Sequence, residues 1–387
     1  MDADVIVVGA GPAGALCAYL LAHAGAKVIL LEKSVLPRYK PCGGGLTLRA
    51  LKYLPWDPSN VIRVYAVGGE LTWEGRLILK KNRAPFVAAM VRRDHFDAWL
   101  VAKAQEAGAT LMDATPVLGV EELDNRVQVE TPGRIFRAAY LVGADGVNSI
   151  VARRFPNFRR ATGVALEAEI DVPSAELEAQ GCYLTFDFGI LPHGYGWIFP
   201  KRDHLSVGVF AAHEGRIPDL KAYLMRFMAC YPHLVKGQVR LLRGHRIPLG
   251  GQRQPLHTRR MLLVGDAANL ADAFLGEGIS YALWSAHLAS QAIWACLTDP
   301  QVGLATYTGK VQKTLGRELR FAARLGQWVY SHPKQAAMIL ATSPKLQALW
   351  LDTLTARQSF AHLVSTLPLY LPIMTVQYLQ NKPYRQW

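Results

Sequence analysis

The chain has 387 residues, enough for two or three domains with their own cores. Its net charge of +13 fits an anionic membrane surface, an acidic protein partner or a phosphorylated substrate, whereas the lack of a recognition motif or a dense Lys/Arg tract argues against nucleic acid. The five scattered cysteines form no C-x-x-C pair, which argues against a disulfide framework and a zinc site and favours a reducing compartment. With no signal peptide and no continuous apolar span of ~20 residues, the sequence predicts a cytoplasmic protein.

The chain opens with a β-branched strand, a glycine-rich turn and an alanine- and leucine-rich helix. Gly9, Gly11 and Gly14 have the spacing G-x-G-x-x-G, and a second apolar strand at 27–31 ends at Glu32. In this context Gly9 permits the tight turn, Gly11 lets the backbone approach a pyrophosphate, and Gly14 lets the helix pack close to the strand. The helix N-terminus offers free N–H groups to the phosphates, and the acid can accept both ribose hydroxyls. The opening therefore predicts a site for FAD or NAD rather than NADP.

The nucleotide-binding pattern then continues in separated segments. Alternating apolar and polar residues interrupt it, as expected for the strands of a half-exposed sheet, and the end of the chain is mostly helical. The predicted fold class is α/β, with a Rossmann-like domain interrupted by a mixed or antiparallel sheet domain and followed by helices. The predicted divisions are 1–60, 91–160 and 246–304 for the nucleotide-binding domain, 61–90 and 161–245 for the substrate domain, and 305–387 for the helical region.

Two later glycine turns support a flavin. The sequence Gly-Ala-Asp-Gly at 143–146 follows a buried strand, and a second turn at 265–268 follows another. In the second turn, Asp266 ends the strand, where its carboxylate can accept a hydrogen bond from a polyol chain such as ribityl. Gly278 and Ile279 start a helix, so their N–H groups can face the pyrimidine edge of a flavin.

Over roughly residues 1–300 this order of signals resembles the glutathione-reductase-like flavoproteins of the p-hydroxybenzoate hydroxylase type. That resemblance implies FAD, bound non-covalently in an extended form. The positions it implies are Gly9, Gly11, Ala13 and Gly14 along the pyrophosphate, Glu32 at the adenosine ribose, Arg93 along the cofactor, Val117 near the adenine, and Asp266, Gly278 and Ile279 at the phosphate, ribityl and isoalloxazine groups.

A loop between the second strand and the next helix narrows the family. Residues 40–45, Lys-Pro-Cys-Gly-Gly-Gly, resemble the P-C-G-G/A loop of geranylgeranyl reductases, which lies beside the flavin. The resemblance implies that Cys42, Gly43 and Gly45 lie at the cofactor. Cys42 is a candidate proton donor by its position; as an alternative, it is only a small residue that fits a tight loop.

The second motif that narrows the choice of family is a row of aromatic residues. Residues 192–200 fit the P-x-x-Y-x-W-x-F-P signature of the same family at every fixed position. Tyr195, Trp197 and Phe199 alternate at period two and therefore share one face of a strand. Such a row can wall a cavity for a polyprenyl chain; the alternative is that the three rings simply pack in the sheet core.

The family resemblance implies a reductase that saturates carbon–carbon double bonds of a geranylgeranyl or polyprenyl chain, with a hydride from reduced FAD and a proton from elsewhere. The predicted catalytic set is Cys42, Tyr195 and Trp197, and His193 and solvent are other candidate proton sources. Rival functions are an FAD-dependent monooxygenase or halogenase of the same fold, an isoprenoid cyclase and a flavin-dependent electron carrier. The carrier would need an iron–sulfur cysteine cluster, which the sequence lacks.

Several partners follow from these expectations. No second G-x-G-x-x-G motif is present for a separate NADPH domain, so electrons come either from NADPH that visits transiently or from an acidic carrier such as reduced ferredoxin. The substrate is an isoprenoid lipid, whose diphosphate or head group Arg38, Lys40 or Arg49 could bind. The apolar but proline-broken segment 363–379 could lie in a membrane interface, cover the substrate cavity or pack on its own domain.

Overall fold

The computed structural model describes residues 1–212, 219–299 and 301–367. Its strands, in chain order, are β1 (Ala3–Val8), β2 (Val28–Leu31), β3 (Gly45–Leu46), β4 (Ile62–Ala66), β5 (Gly68–Trp73), β6 (Arg76–Asn82), β7 (Ala88–Val91), β8 (Thr110–Met112), β9 (Gly119–Glu122), β10 (Val127–Thr131), β11 (Arg134–Gly143), β12 (Ala161–Asp171), β13 (Tyr183–Asp187), β14 (Gly194–Pro200), β15 (Leu205–Ala211), β16 (Gln238–Leu249) and β17 (Met261–Leu263). Its helices are α1 (Pro12–His23), α2 (Leu48–Lys52), α3 (Arg93–Glu106), α4 (Ser174–Gln180), α5 (Leu220–Ala229), α6 (Pro232–Val235), α7 (Ile279–Thr298), α8 (Ala305–Lys313), α9 (Leu315–Ser331), α10 (Pro333–Thr342) and α11 (Pro344–Leu354).

The first sheet has the order β8-β2-β1-β11-β10-β9. Strands β8, β2, β1 and β11 are parallel, and β17 joins β11 in parallel near its C-terminal end. Strands β10 and β9 extend the sheet in antiparallel fashion. Strands β2 and β17 are buried along their length, and β1 is buried except at Asp4, as expected for the central strands of a covered parallel sheet.

The second sheet has the order β16-β12-β15-β14-β13-β5-β6. It is antiparallel except for the β13–β5 pair. One face packs on the C-terminal helices and the other on α5 and α6, so two separate apolar cores flank it. A small sheet in the order β3-β7-β4 carries the chain between the two large sheets. Together these layers confirm the predicted α/β architecture with an additional sheet and C-terminal helices.

The C-terminal helices begin with α8, whose buried Tyr307 and Val311 join the core of the first sheet, and continue beside the second sheet. Buried side chains of α9 and α11, among them Leu325 and Trp350, join the core of that sheet. Across the described residues, no helix is both long and apolar enough to cross a membrane. The predicted apolar tail lies outside the described residues from position 368 onward.

Candidate active site

The two large sheets and the small one enclose a cavity of about 740 Å³. Both groups of residues singled out in the sequence meet there, although they come from segments far apart in the chain. The expected cofactor residues that line it are Gly9, Gly11, Ala13, Glu32, Cys42, Gly43, Gly45, Arg93, Val117, Asp266, Gly278 and Ile279, and the expected substrate residues that line it are Tyr195, Trp197 and Phe199.

The three fingerprint glycines have different surroundings. Gly9 has a φ of +100°, and a Cβ added to it would lie 2.4 Å from the carbonyl oxygen of Ala144. A Cβ added to Gly14 would lie 1.9 Å from the carbonyl oxygen of Gly9, because helix α1 packs directly on the turn. Gly11 is the N-cap of α1, and a Cβ there would meet no protein atom within 4 Å. The helix N-terminus therefore faces an open cradle in which a phosphate can accept backbone hydrogen bonds.

Glu32 is held beside this cradle. Its Oε2 accepts a hydrogen bond from the backbone N–H of Ala10 at 2.9 Å, and its Oε1 accepts one from the N–H of Ser34 at 3.1 Å. Arg38 Nε lies 3.5 Å from the same Oε1. These contacts fix a buried carboxylate at the end of β2, where its free lone pairs can face a ribose.

A buried ion-pair cluster positions Arg93. Its Nε and Nη2 donate to the two carboxylate oxygens of Asp97 at 2.8 and 2.9 Å, and Arg38 Nη1 donates to Asp97 from another side at 2.9 Å. Burial alone would lower the pKa of Arg93, but the Asp97 carboxylate outweighs it and raises the pKa. Arg93 therefore remains a fixed cation in the cavity wall.

Asp145 stabilises its own turn. Its carboxylate accepts hydrogen bonds from Ser149 Oγ at 2.5 Å and from the N–H of Ile150 at 2.7 Å. Burial raises its pKa. The turn at 143–146 lines the cavity as expected, and the Asp145 carboxylate bonds to the short helical turn that follows rather than pointing freely outward.

The N-terminus of α7 meets Asp266 beside the fingerprint, since a Cβ added to Gly265 would lie 3.1 Å from Ala13 Cβ. Asp266 lies in a turn after β17, and its Oδ1 would be 3.4 Å from a Cβ added to Gly278, the N-cap of α7. A neighbouring acid, Asp272, accepts backbone hydrogen bonds from Phe274, Leu275 and Glu277 at 2.6–3.0 Å.

This loop-forming role of Asp272 could not be assigned from the sequence. The sequence shows only an aspartate in a loop, and aspartates that bind backbone N–H groups a few residues ahead are common in turns. Because the side chain is only 1% exposed, burial raises its pKa to about 7.

Lys201 fixes the cysteine loop. The residue follows β14 directly and is 3% exposed, and its Nζ donates to the carbonyl oxygens of Gly43 and Val91. Burial lowers its pKa. A Cβ added to Gly43 would lie 2.6 Å from the ring of Phe199, so the loop also packs directly on the aromatic row. The sequence signal for this contact was a lysine directly after an apolar strand, which by itself does not indicate what the amine contacts.

The three basic residues proposed for a head group have protein partners. Lys40 Nζ lies 2.7 Å from His245 Nε2, and both residues line the cavity. Burial and the Lys40 charge lower the pKa of His245 to about 4, so the neutral ring accepts the hydrogen bond. Arg38 binds the acids described above, and Arg49 lies over the ring of Tyr281 at 4.6 Å.

The aromatic row forms one wall of the cavity. Tyr195, Trp197 and Phe199 share a face of β14, with successive ring centroids 6.2 Å apart, and Phe186 of β13 packs 5.3 Å from Phe199. The Tyr195 hydroxyl donates to the carbonyl oxygen of Leu275 at 2.6 Å, and burial raises its pKa. This hydroxyl therefore keeps its proton and uses it in a structural hydrogen bond.

The other candidate proton sources differ in access. Cys42 is half-buried in the cavity wall, and its Sγ accepts a 3.4 Å hydrogen bond from the N–H of Gly44. His193 is exposed in the turn before β14, with a φ of +54°. The structure thus brings Cys42 and Trp197 to the cavity and leaves His193 on the surface.

Several known proteins are similar to this chain in sequence and in architecture. Residues 2–181 match the family described as FAD binding domain. The geranylgeranyl diphosphate reductase of Rhodobacter capsulatus is 31% identical over 77% of this chain and 76% of that protein. The digeranylgeranylglycerophospholipid reductase of Thermoplasma volcanium is 31% identical over 74% and 77%, and the menaquinone reductase of Mycobacterium tuberculosis (strain H37Rv) is 30% identical over 76% of each.

Solved structures give the same result. A geranylgeranyl bacteriochlorophyll reductase-like protein from Thermoplasma acidophilum superimposes with a TM-score of 0.74 at 25% identity, covering 92% of this chain and 90% of that one. The halogenase PltM, at 16% identity, shares the fold with a TM-score of 0.72 over 92% and 83% of the two chains. Fold, site and sequence agree that the chain belongs to the geranylgeranyl reductase family of FAD-dependent oxidoreductases.

Proposed function

We propose that the protein saturates carbon–carbon double bonds in a geranylgeranyl or other polyprenyl chain. The observation that supports this most is the wall of buried aromatic rings on β13, β14 and β15 in the same cavity as the cysteine loop and the α7 N-terminus. Such a wall can hold a linear run of isoprene units by apolar contact and exclude water from the reacting bond.

The residues along the cavity fit FAD. The open cradle at Gly11 leaves room for a pyrophosphate that a side chain would fill, and the buried Glu32 carboxylate is placed for the adenosine ribose. Asp266 and the N-terminus of α7 can hold the ribityl and isoalloxazine groups. When bound and reduced, FAD supplies the hydride for one carbon of the double bond.

The protein's own part is to orient the chain and to manage the proton. Trp197 is held flat against the sheet, since a Cβ added to Gly208 would lie 2.2 Å from its ring. Lys201 holds the backbone of the loop that carries Cys42, so this loop and the aromatic row keep a fixed separation. The substrate bond is thereby confined between the loop and the rings.

A halogenase fits this site less well. The buried Lys201 ammonium group binds loop carbonyls, and the ammonium group of Lys40, a lysine that lines the cavity, lies 2.7 Å from His245 Nε2. A halogenase needs a lysine directed between the flavin and the substrate.

The partners we propose follow the charge of the chain. NADPH or a reduced ferredoxin supplies electrons, and the net charge of +13 favours an acidic carrier. The isoprenoid lipid is taken from a membrane to which a cytoplasmic enzyme binds peripherally. The relatives' names give three test substrates, namely geranylgeranyl diphosphate, digeranylgeranylglycerophospholipid and menaquinone.

The test is anaerobic incubation of the dithionite-reduced, FAD-loaded protein with each of the three lipids, followed by mass spectrometry. We expect at least one lipid to gain two mass units for each saturated bond, and Trp197→Ala to lower the rate. The oxidised protein is the control, because without reduced flavin it should leave every lipid unchanged. Hydroxylation or halogenation of an aromatic compound under oxygen, with no saturated lipid, would contradict the proposal.

A further inference from the structure

The cavity wall formed by the second sheet has a polar continuation of the aromatic row. In the register of β12, β15 and β14, Glu167 lies opposite Gly208, and Gly208 lies opposite Trp197. Because Gly208 has no side chain, no side chain separates the Trp197 indole from the Glu167 carboxylate along this row. Glu167 lines the cavity and is 3% exposed. The row therefore leads from the apolar wall to an acid, with Arg243 of β16 beyond it.

The two oxygens of this acid are in different situations. Oε1 accepts a 2.6 Å hydrogen bond from Ser206 Oγ, which in turn accepts one from Trp197 Nε1 at 3.4 Å. Oε2 is buried and has no hydrogen-bond partner among the described residues. A buried carboxylate oxygen without a partner is costly when charged, whereas a protonated oxygen is neutral and can donate to a molecule in the cavity.

The surroundings keep the proton on Glu167 up to neutral pH. Burial, the largest cause, and the Glu169 carboxylate on the same strand together raise the pKa of Glu167 to about 7. The Ser206 hydrogen bond, the buried Lys201 ammonium and the nearby backbone N–H of Cys42 lower it by less. The titratable and charged groups around it are Glu169 on β12, Lys201 after β14, Tyr39 and Cys42 in the cysteine loop, and Arg243 opposite it on β16.

Three titratable groups lead from solvent to the strand position two residues from Glu167. Glu169, two residues beyond Glu167 on the same strand face, lies opposite Ser206 in the sheet. Its Oε2 is 2.9 Å from Nε2 of the buried His204, whose Nδ1 is 2.8 Å from Oδ1 of Asp203. The Asp203 side chain is 57% exposed. Carboxylate and imidazole groups thus follow one another from the surface to the cavity edge.

We propose that Glu167 is the acid that protonates the substrate double bond and that Glu169, His204 and Asp203 return the proton from solvent. The inference rests on the proposed function. The O–H bond of Glu167 breaks as a C–H bond forms at one alkene carbon, and the other carbon takes the hydride from reduced flavin. Two electrons and two hydrogens are added in total, and the carboxylate left on Glu167 regains a proton through Glu169.

The first experiment measures the proton itself, without turnover. Infrared titration of the full-length, FAD-bound, oxidised protein should show protonated carboxyl absorbance from Glu167 and Asp272 that disappears as the pH rises through about 7. The difference spectrum between the wild type and Glu167→Gln should isolate the Glu167 band, and Ser206→Ala should move the loss of that band to higher pH, because the serine hydrogen bond lowers the pKa of Glu167. The exposed Glu121→Gln is the matched control and should leave the absorbance unchanged. A difference spectrum with no carboxyl band that titrates near pH 7 overturns the assignment.

The second experiment distinguishes the role of Glu167 as the acid from the role of His204 in returning its proton. In anaerobic single turnovers, Glu167→Gln should lower the rate of alkene saturation by about 10²–10⁴-fold, the usual contribution of a general acid, while flavin reduction by dithionite stays unchanged. His204→Gln should leave the first turnover at the wild-type rate, because Glu167 already holds its proton, and slow later turnovers. The wild-type rate should fall about tenfold per pH unit above pH 7, and E167Q should lose this dependence.

The outcomes distinguish the two proposals. If the wild type saturates no lipid, the proposed function fails, and this inference fails with it. If the wild type saturates a lipid and E167Q reacts within about threefold of its rate, the function stands and Glu167 is not the acid. If H204Q slows the first turnover as much as later ones, the relay is wrong.

Discussion

The same added methyl group should lower the stability of the protein at position 14 and its affinity for FAD at position 11. Gly14→Ala places a Cβ 1.9 Å from the Gly9 carbonyl oxygen, which belongs to a backbone fixed by strand β1. Overpacking against a backbone atom costs about 3 kcal/mol, and the better helix propensity of alanine returns about 1 kcal/mol. The expected net loss is about 2 kcal/mol, or a fall of about 2–3 °C in Tm for a chain of 387 residues.

Gly11→Ala meets no protein atom within 4 Å and has a φ of −77°, which alanine adopts freely. Alanine is a poorer N-cap by roughly 0.5–1 kcal/mol, and it reduces the freedom of the unfolded chain by a similar amount. The FAD-free variant should therefore match the wild type within about 0.5 kcal/mol. Its methyl group occupies the cradle, so its affinity for FAD should fall by about 10–100-fold.

The assay combines urea unfolding of the FAD-free proteins with FAD titration by flavin fluorescence. Gly309→Ala is the control, because this exposed residue of α8 has no atom within 4 Å of an added Cβ and lies outside the cavity. It should bind FAD normally. If G11A unfolds as early as G14A, or binds FAD with wild-type affinity, then Gly11 does not face the cofactor.

Three further changes test single contacts. The free energy of unfolding of the FAD-free protein should fall as the pH rises from about 4.5 to 7, because folded Glu167 and Asp272 keep protons that the unfolded chain has released. Urea titrations at several pH values measure this fall, and Glu167→Gln should make it smaller by about 3 kcal/mol. Lys201→Met removes two hydrogen bonds to buried carbonyls, so it should lower stability by about 2 kcal/mol and release FAD during gel filtration. Tyr195→Phe leaves the Leu275 carbonyl without its donor and should cost about 1–2 kcal/mol in thermal unfolding, while lipid saturation stays within a few-fold of wild type; a 100-fold loss would make Tyr195 the proton donor.

Local patterns were enough to predict the turn and the aromatic row that line the cavity. The spacing of Gly9, Gly11 and Gly14 has its meaning within one strand–turn–helix unit, so its geometry depends on neighbours in the chain. The alternation of Tyr195, Trp197 and Phe199 likewise follows from strand periodicity alone, and the three rings do share one face. In both cases the physical constraint is local.

The proposed acid Glu167 and the loop-holding Lys201 could not be predicted in the same way. Glu167 becomes significant only when β12 and β15 pair in a register that places Gly208 between it and Trp197. Lys201 becomes significant only when it reaches a loop more than 150 positions earlier in the chain. Charged residues inside apolar strands were visible in the sequence, but their partners depend on sheet register and on long-range packing, which a single sequence does not specify.

The interleaved first sheet also has a consequence for how the protein is made. Strand β11 pairs with β1 near the start of the chain and with β17, which ends at Leu263. On the ribosome, the edge of β11 that takes β17 stays open until well over half of the chain has been synthesised. During that interval an unpaired, apolar strand edge is available to other chains, so efficient production should depend on chaperones that shield it. The cavity is also incomplete until then, because Asp266 and the start of α7 follow β17 in the chain.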